Sequence, residues 1–217
     1  MAIFSLNEVR TEQIKNIAND NFESWPESAT YGYFGGGYAP PFVNTIDRID
    51  FFNETTSAPG NNLSQARRSL AAVSSSSYGY FGGGYAPPFV STIDRLDFSN
   101  ETTSAPGNNL SQARYELAAV SSSSYGYFGG GFAPPIVCTI DRLDFSNETL
   151  SLPGNGLPQA RNTLAAVSSS SYGYFGGGYA PPTNVCTIDR LDFSNETTSA
   201  PGNGLPQARS GLAAVSN

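Results

Sequence analysis

The chain is built from short runs in which apolar and polar residues alternate, with the two-residue period of β-strands. Residues 92–98 (TIDRLDF) alternate strictly, and residues 77–81 (SYGYF) alternate up to a glycine triplet. Residues 70–74 (LAAVS) form an apolar run that suits a buried strand, and residues 100–106 (NETTSAP) suit an edge strand that ends at a proline. Because Gly and Pro separate these runs, the pattern predicts four short antiparallel strands per unit.

The whole pattern occurs four times. The string YGYFGGG begins at Tyr31, Tyr78, Tyr125 and Tyr172, which are 47 residues apart. A fixed period of this length indicates a solenoid, propeller or array, in which each unit buries its apolar face against the next. Four short antiparallel strands make one propeller blade. We therefore expect an all-β propeller of four blades, with units at residues 31–77, 78–124, 125–171 and 172–217.

The two ends of the array differ in register. The first unit begins at its second strand, at Tyr31, whereas the last unit ends on a first strand, residues 212–216. Residues 22–29 (FESWPESA) do not resemble the LAAVSSSS that precedes the other units. We expect residues 212–216 to complete the first blade of their own chain, which closes the ring and removes an exposed edge. The alternative is that they complete the first blade of a neighbouring chain and form a larger ring.

The order of elements resembles the kelch repeat. Arg67 precedes the small apolar strand LAAV, which is followed by YGYFGGG and then by TIDRLDF, and the same order begins at Arg114 and Arg161. The resemblance covers residues 31–217 and implies a β-propeller. The fourth strand departs from the kelch pattern because its usual tryptophan is missing, and the only tryptophan of the chain, Trp25, precedes the repeats. The GH and WD signatures of WD40 repeats are also missing from the sequence.

Residues 1–30 differ from the repeats and predict a helical arm. Ser5 and Glu8 fit a capping box, and a helix from about residue 6 to residue 18 would follow it. The apolar residues that we expect to dock on a partner protein are Leu6, Val9, Ile14, Ile17 and, in the linker that follows, Trp25. A single helix does not bury such a stripe alone, so packing on the chain's own propeller is the alternative.

Composition disfavours several classes of function. The net charge of −7 argues against binding to nucleic acid or to anionic membrane surfaces, which require Lys and Arg. No apolar run approaches the ~20 residues that a membrane-spanning helix needs, and the first residues lack the apolar core of a signal peptide. The chain has no histidine, the commonest general base and metal ligand. We therefore expect a protein without enzymatic activity, cofactor or metal.

Two sets of polar residues recur in every unit and have a structural and a functional interpretation. An Asp-Arg-x-Asp segment occurs four times, with residues Asp47, Arg48 and Asp50; Asp94, Arg95 and Asp97; Asp141, Arg142 and Asp144; and Asp189, Arg190 and Asp192. Such carboxylates could serve as acid–base groups or bind a hard cation, but exact repetition favours structural Arg–Asp pairs. The NET segments resemble glycosylation sequons and are expected to be turns. Cys138 and Cys186, at equivalent positions of adjacent units, are expected to be unpaired thiols.

One aromatic residue follows the glycine triplet in each unit, beside the segment APP. These four residues are Tyr38, Tyr85, Phe132 and Tyr179. Loops at a propeller face frequently bind ligands, and aromatic planes flanked by Asn and Ser suit sugar rings. Glycan binding at these loops is therefore the functional hypothesis for the aromatic residues, and packing of tyrosines between blades is the structural alternative.

The strings YGYFGGGYAPP, TIDRLDFSNET and QARYELAAVS, behind the leader SLNEV…WPES, are similar to repeat-bearing virion structural proteins of marine tailed phages, especially those that infect cyanobacteria. The resemblance implies a component of the tail, baseplate, neck or fibre that is assembled in the host cytoplasm. It also implies a homo-oligomer that attaches to other virion proteins through residues 1–30 and displays the repeats, which could bind a host-surface glycan. A soluble lectin-like propeller is the alternative. A kelch-type enzyme is less favoured, because histidine is missing and no singular residue marks an active site.

Overall fold

All regular structure in the described part of the chain is β. The computed structural model describes residues 30–216, and no residue in this range is helical. This confirms the all-β prediction. The predicted helical arm, with Leu6, Val9, Ile14, Ile17 and Trp25, lies outside the described residues. Within 30–216, no helix has the length and apolarity needed to span a bilayer.

The strands are short and follow the sequence runs closely. In residues 30–216 they are β1 (Tyr31–Tyr38), β2 (Phe42–Asp50), β3 (Thr56–Ser57), β4 (Ala71–Ser74), β5 (Tyr78–Gly82), β6 (Ile93–Asp97), β7 (Thr103–Ser104), β8 (Ala118–Ser121), β9 (Tyr125–Gly129), β10 (Ile140–Asp144), β11 (Leu150–Ser151), β12 (Ala165–Ser168), β13 (Tyr172–Gly176), β14 (Tyr179–Ala180), β15 (Thr183–Asn184), β16 (Ile188–Asp192) and β17 (Thr198–Ser199). The edge strand predicted in NETTSAP is reduced to two residues, because turns take up the rest of that segment.

Three complete four-stranded antiparallel sheets form, each from the last strand of one unit and three strands of the next. The sheets are β4-β5-β6-β7, β8-β9-β10-β11 and β12-β13-β16-β17. Their registers are the same, so that Val73 lies opposite Tyr80 and Val120 lies opposite Tyr127. In the last repeat, the loop that contains APP is one residue longer than in the other repeats, and it forms the additional short pair β14-β15. These sheets have the strand order predicted for the blades.

The first three strands of the first unit form an incomplete sheet. Strands β1, β2 and β3 pair in that order, and no strand of the described chain occupies the position that β4, β8 and β12 occupy in the other sheets. Residues 212–216, which we expected to fill that position, form no strand, and the Val215 side chain is 92% exposed. The closure expected from the sequence therefore does not occur in this structure.

The described residues fall into two compact units. The smaller consists of residues 30–32 and 49–56, and the larger consists of residues 33–48 and 57–216. In the smaller unit, a turn is closed by the amide of Glu54, which donates to the carbonyl of Asp50 at 2.8 Å. The larger unit contains the three complete sheets and the clusters of buried apolar side chains.

In the larger unit, consecutive sheets stack through a repeated contact between a phenylalanine and a glycine. Phe128 is fully buried against the first glycine of the preceding triplet, Gly82, where a Cβ atom would lie 2.7 Å from the ring. Phe81 lies against Gly35, and Phe175 against Gly129, in the same way. Burying a phenylalanine side chain fully contributes about 1.5–3 kcal/mol, so these contacts are a principal source of cohesion between repeats.

Candidate functional site

Each complete sheet contains a buried Arg–Asp ion pair. Arg114 and Asp141 are fully buried, with 2.7 Å between Nη1 and Oδ2, and Arg114 Nη2 also donates to the carbonyl of Phe128 at 2.9 Å. The equivalent pairs are Arg67–Asp94 at 2.8 Å and Arg161–Asp189 at 2.6 Å. Burial lowers the pKa of Arg114, and the charge of Asp141 opposes this change. The first Asp of these segments is therefore structural, as the sequence predicted, although its partner is the arginine before the inner strand.

The second Asp of each segment and the Asn of NET hold a tight turn. Ser99 donates to Asp97 Oδ1 through its amide at 2.8 Å and its hydroxyl at 2.6 Å, and Thr102 donates twice to Asn100 in the same manner. The hydrogen bonds from Ser99 lower the pKa of Asp97. The NET segments are therefore turns, as predicted. In residues 30–216, no group of three His, Cys, Asp or Glu side chains is arranged to hold a metal ion, and Cys138 and Cys186 are exposed, unpaired thiols.

The glutamates of the second, third and fourth NET turns join successive repeats, which the sequence analysis did not predict. Glu148 Oε1 accepts hydrogen bonds from the Tyr80 hydroxyl at 3.1 Å and from Arg95 Nη1 at 2.8 Å. Glu101 and Glu196 accept equivalent bonds from the repeats that precede them. Burial raises the pKa of Tyr80, and the charge of Glu148 raises it further. The sequence does carry a signal for this contact: each TIDR segment contains an arginine, and each NET segment of the following repeat contains a glutamate.

Most of the predicted loop aromatics belong to a longer row of rings. Centroid distances along this aromatic row are 5.5 Å for Tyr38–Phe42, 5.6 Å for Phe42–Tyr85, 5.4 Å for Tyr85–Tyr115 and 5.3 Å for Tyr115–Phe132. Three of the four predicted residues lie in this row. The fourth, Tyr179, pairs through its backbone with Asn162, the position that Tyr115 occupies in the preceding repeat.

A guanidinium group covers part of the aromatic row. The Arg68 guanidinium carbon lies 5.1 Å from the centroid of Tyr85 and 5.6 Å from that of Phe42, within the range of cation–π contacts. Next to the row, Asn162 Nδ2 donates to Glu116 Oε2 at 2.6 Å, and burial and the charge of Glu116 raise the pKa of Tyr115. The site therefore combines flat apolar faces with donors and acceptors.

The side chains of the aromatic row that the sequence analysis missed, Phe42, Arg68 and Tyr115, occupy positions at which the repeats differ. The segments QAR and APP occur in all four repeats. The residue that follows QAR is, in order of the repeats, Arg68, Tyr115, Asn162 and Ser210. The residue that follows APP is, in the same order, Phe42, Phe89, Ile136 and Thr183. Backbone bridges place Arg68 beside Tyr85 and Tyr115 beside Phe132. Comparing the four copies with each other, position by position, would therefore have indicated this surface.

Residues 30–216 thus contain structural ion pairs and an aromatic surface, and side chains of neighbouring repeats form both. The ion pairs neutralise charges that burial would otherwise penalise. The aromatic row remains partly exposed, with Tyr38 at 66%. Comparison with known proteins assigns no family, because neither a protein-family model nor a curated protein matches the chain.

Proposed function

We propose that the protein is a non-enzymatic virion component of a tailed phage, a kelch-like β-propeller that binds a host-surface glycan. The four-stranded antiparallel sheets and their stacking support the propeller, since this is the construction of propeller blades. The resemblance of the repeats and leader to phage virion proteins supports the location. The aromatic row is the observation that carries the binding function.

The aromatic row suits a sugar because it offers apolar planes and polar groups together. The C–H faces of a pyranose pack against Tyr85 and Tyr115, while hydroxyl groups accept from Arg68 and exchange hydrogen bonds with Glu116 and Asn162. Exposure of Tyr38 at 66% leaves the row open to a ligand that approaches from solvent.

The ionisable groups of the repeats support binding rather than catalysis. Asp141 is neutralised by Arg114, and Glu148 is held by Arg95 and Tyr80. The same arrangement recurs in neighbouring repeats, whereas a catalytic centre requires at least one group with a distinct environment.

A glycan array tests the binding function. We expect the wild-type protein to bind a defined set of host-surface glycans and Tyr85→Ala to lose that binding, because the central ring of the row is removed. Tyr179→Ala is the matched control, since it removes a loop aromatic outside the row. The glycan proposal would fail if the wild type bound no glycan, if Tyr85→Ala kept the wild-type profile, or if Tyr179→Ala lost binding to the same extent as Tyr85→Ala.

Sedimentation of phage particles tests the virion function separately. We expect the protein to co-sediment with particles, in a copy number divisible by three or six if it belongs to the tail or a fibre. Absence from particles would overturn the virion location. Glycan binding by a protein absent from particles would instead establish the second function that the aromatic row supports, a soluble lectin.

A further inference from the structure

Within residues 30–216, two surfaces of the larger unit do not make contacts that their counterparts make in the other repeats. We call them the first face, which consists of Phe34, Gly35, Asp47 and Gly79, and the last face, which consists of Gly176 and residues 209–216. The residues of these two faces occupy the positions that, elsewhere in the chain, contact each other between consecutive repeats. Three kinds of contact are compared below: ion pairs, strand pairing and packing against glycine.

The first kind of contact is the buried Arg–Asp ion pair. Three Arg–Asp pairs are buried in the complete sheets, and the fourth pair of equivalent positions is Arg209 and Asp47. Both Arg209 and Asp47 are exposed in the described chain. Arg209 already has the backbone position of its counterparts, because its carbonyl accepts from Gly178 N at 2.9 Å as the Arg161 carbonyl accepts from Gly131 N. An arginine is therefore presented without its aspartate, and an aspartate without its arginine.

Strand pairing corresponds in the same way. Residues 213–216 repeat the sequence of β4, AAVS, and β1 is an edge strand at the position where β5 pairs with β4. By the register of the complete sheets, Val215 would lie opposite Tyr33, and Ala213 opposite Gly35. Val215 is 92% exposed, whereas its counterparts Val73 and Val120 are buried. In the described chain, β1 is the last strand of its sheet, and a segment of matching sequence forms no strand; this combination favours strand addition.

Packing at two glycines completes the correspondence. Phe34 is 64% exposed, whereas its counterparts Phe81, Phe128 and Phe175 are buried, each against a glycine of the preceding repeat. The next glycine in that series is Gly176, where the nearest atom to a Cβ would be 3.7 Å away, in Ile188.

The second glycine in this set is Gly79. Val73 and Val120 pack on Gly126 and Gly173, and the equivalent valine is missing at Gly79. Val215 is the counterpart of Val73 and Val120, so a strand that contains Val215 would place this valine against Gly79. The first face therefore lacks an arginine, a fourth strand and a valine, and the last face presents an arginine, a segment with the sequence of that strand, and a valine.

We propose that the last face of one copy binds the first face of a second copy of this chain, head to tail. Residues 213–216 of one copy add the fourth strand to the β1-β2-β3 sheet of the next, Arg209 pairs with Asp47, and Phe34 packs on Gly176. The partner is a second copy because one chain exposes both faces, and the first face of one copy has the groups that the last face of another copy needs as partners. Contacts of this kind generate a ring or a filament, depending on the rotation between copies.

Complementary single variants test this proposal. Asp47→Ala impairs only the first face and Arg209→Ala impairs only the last face, so each variant alone should be monomeric by sedimentation velocity when the wild type is oligomeric. Leaving one charge of a buried pair without its partner should weaken association at least about a hundredfold. An equimolar mixture should form a one-to-one complex, because Arg209 of the first variant meets Asp47 of the second.

Asp94→Ala is the matched control, because it breaks the same pair inside the repeat array. It should lower the melting temperature and leave association intact, and circular dichroism should show that Asp47→Ala and Arg209→Ala remain folded. A wild type that stays monomeric at every concentration tested would overturn the proposal, including the case in which the chain closes on itself. So would a mixture of the two variants that forms no complex.

Discussion

At the residue scale, the buried ion pairs make each sheet depend on single charges. Asp141→Ala should lower the free energy of unfolding by about 3–5 kcal/mol, because Arg114 would remain charged and fully buried. Urea unfolding at neutral pH measures this loss. Replacing both residues by apolar ones, Arg114→Met with Asp141→Leu, should recover most of it. An unchanged midpoint in Asp141→Ala would contradict the structural role of the pair.

The buried tyrosines between repeats give the protein a sensitivity to alkaline pH. Burial and a neighbouring carboxylate raise the pKa of Tyr80 and Tyr127 above their ordinary value of 10.0. A raised folded-state pKa means that the stabilisation is complete below pH 10 and is lost as the pH rises through the folded-state value. We expect the melting temperature to fall above pH 10, and to fall less steeply in Tyr80→Phe. Ionisation of both phenols near pH 10 in the folded protein, followed by absorbance, would refute this.

At the scale of the elements, the stacking of sheets depends on the first glycine of each triplet. Gly129→Ala should destabilise the fold by about 1–3 kcal/mol, because the added Cβ would lie 2.6 Å from the buried ring of Phe175. Gly176→Ala is the matched variant, with no atom closer than 3.7 Å, so it should retain monomer stability. Thermal unfolding of the two variants at low concentration compares them, and equal losses would contradict the Phe–Gly contact as the cause.

The elements themselves could be predicted because their signals are local. The alternation of apolar and polar residues, together with the glycines that separate the runs, predicted both ends of β4 and β6 to within one residue. The internal repetition predicted three further copies of this arrangement. The loop aromatics Tyr85 and Phe132 were identified for the same reason. The contacts of Glu148 and Phe128 were not predicted, because they depend on how one sheet is placed on the next. The pairing of residues 212–216 was wrong as a contact within the chain, since local pattern defines a strand but not its partner.

At the scale of the whole molecule, the repeats of the larger unit interact with their neighbours, and stability is therefore expected to be lowest where a neighbour is missing. In dilute solution, amides of β1 should exchange with solvent faster than those of β9, which is paired on both sides. Head-to-tail binding adds the missing neighbour by mass action, worth about 2.7 kcal/mol when the free partner is at a hundred times the dissociation constant. Raising the protein concentration should therefore slow exchange in residues 33–35 and 213–216 and leave β9 unchanged. Asp47→Ala should abolish this concentration dependence, and exchange at both ends that is independent of concentration in the wild type would show that no second copy binds there.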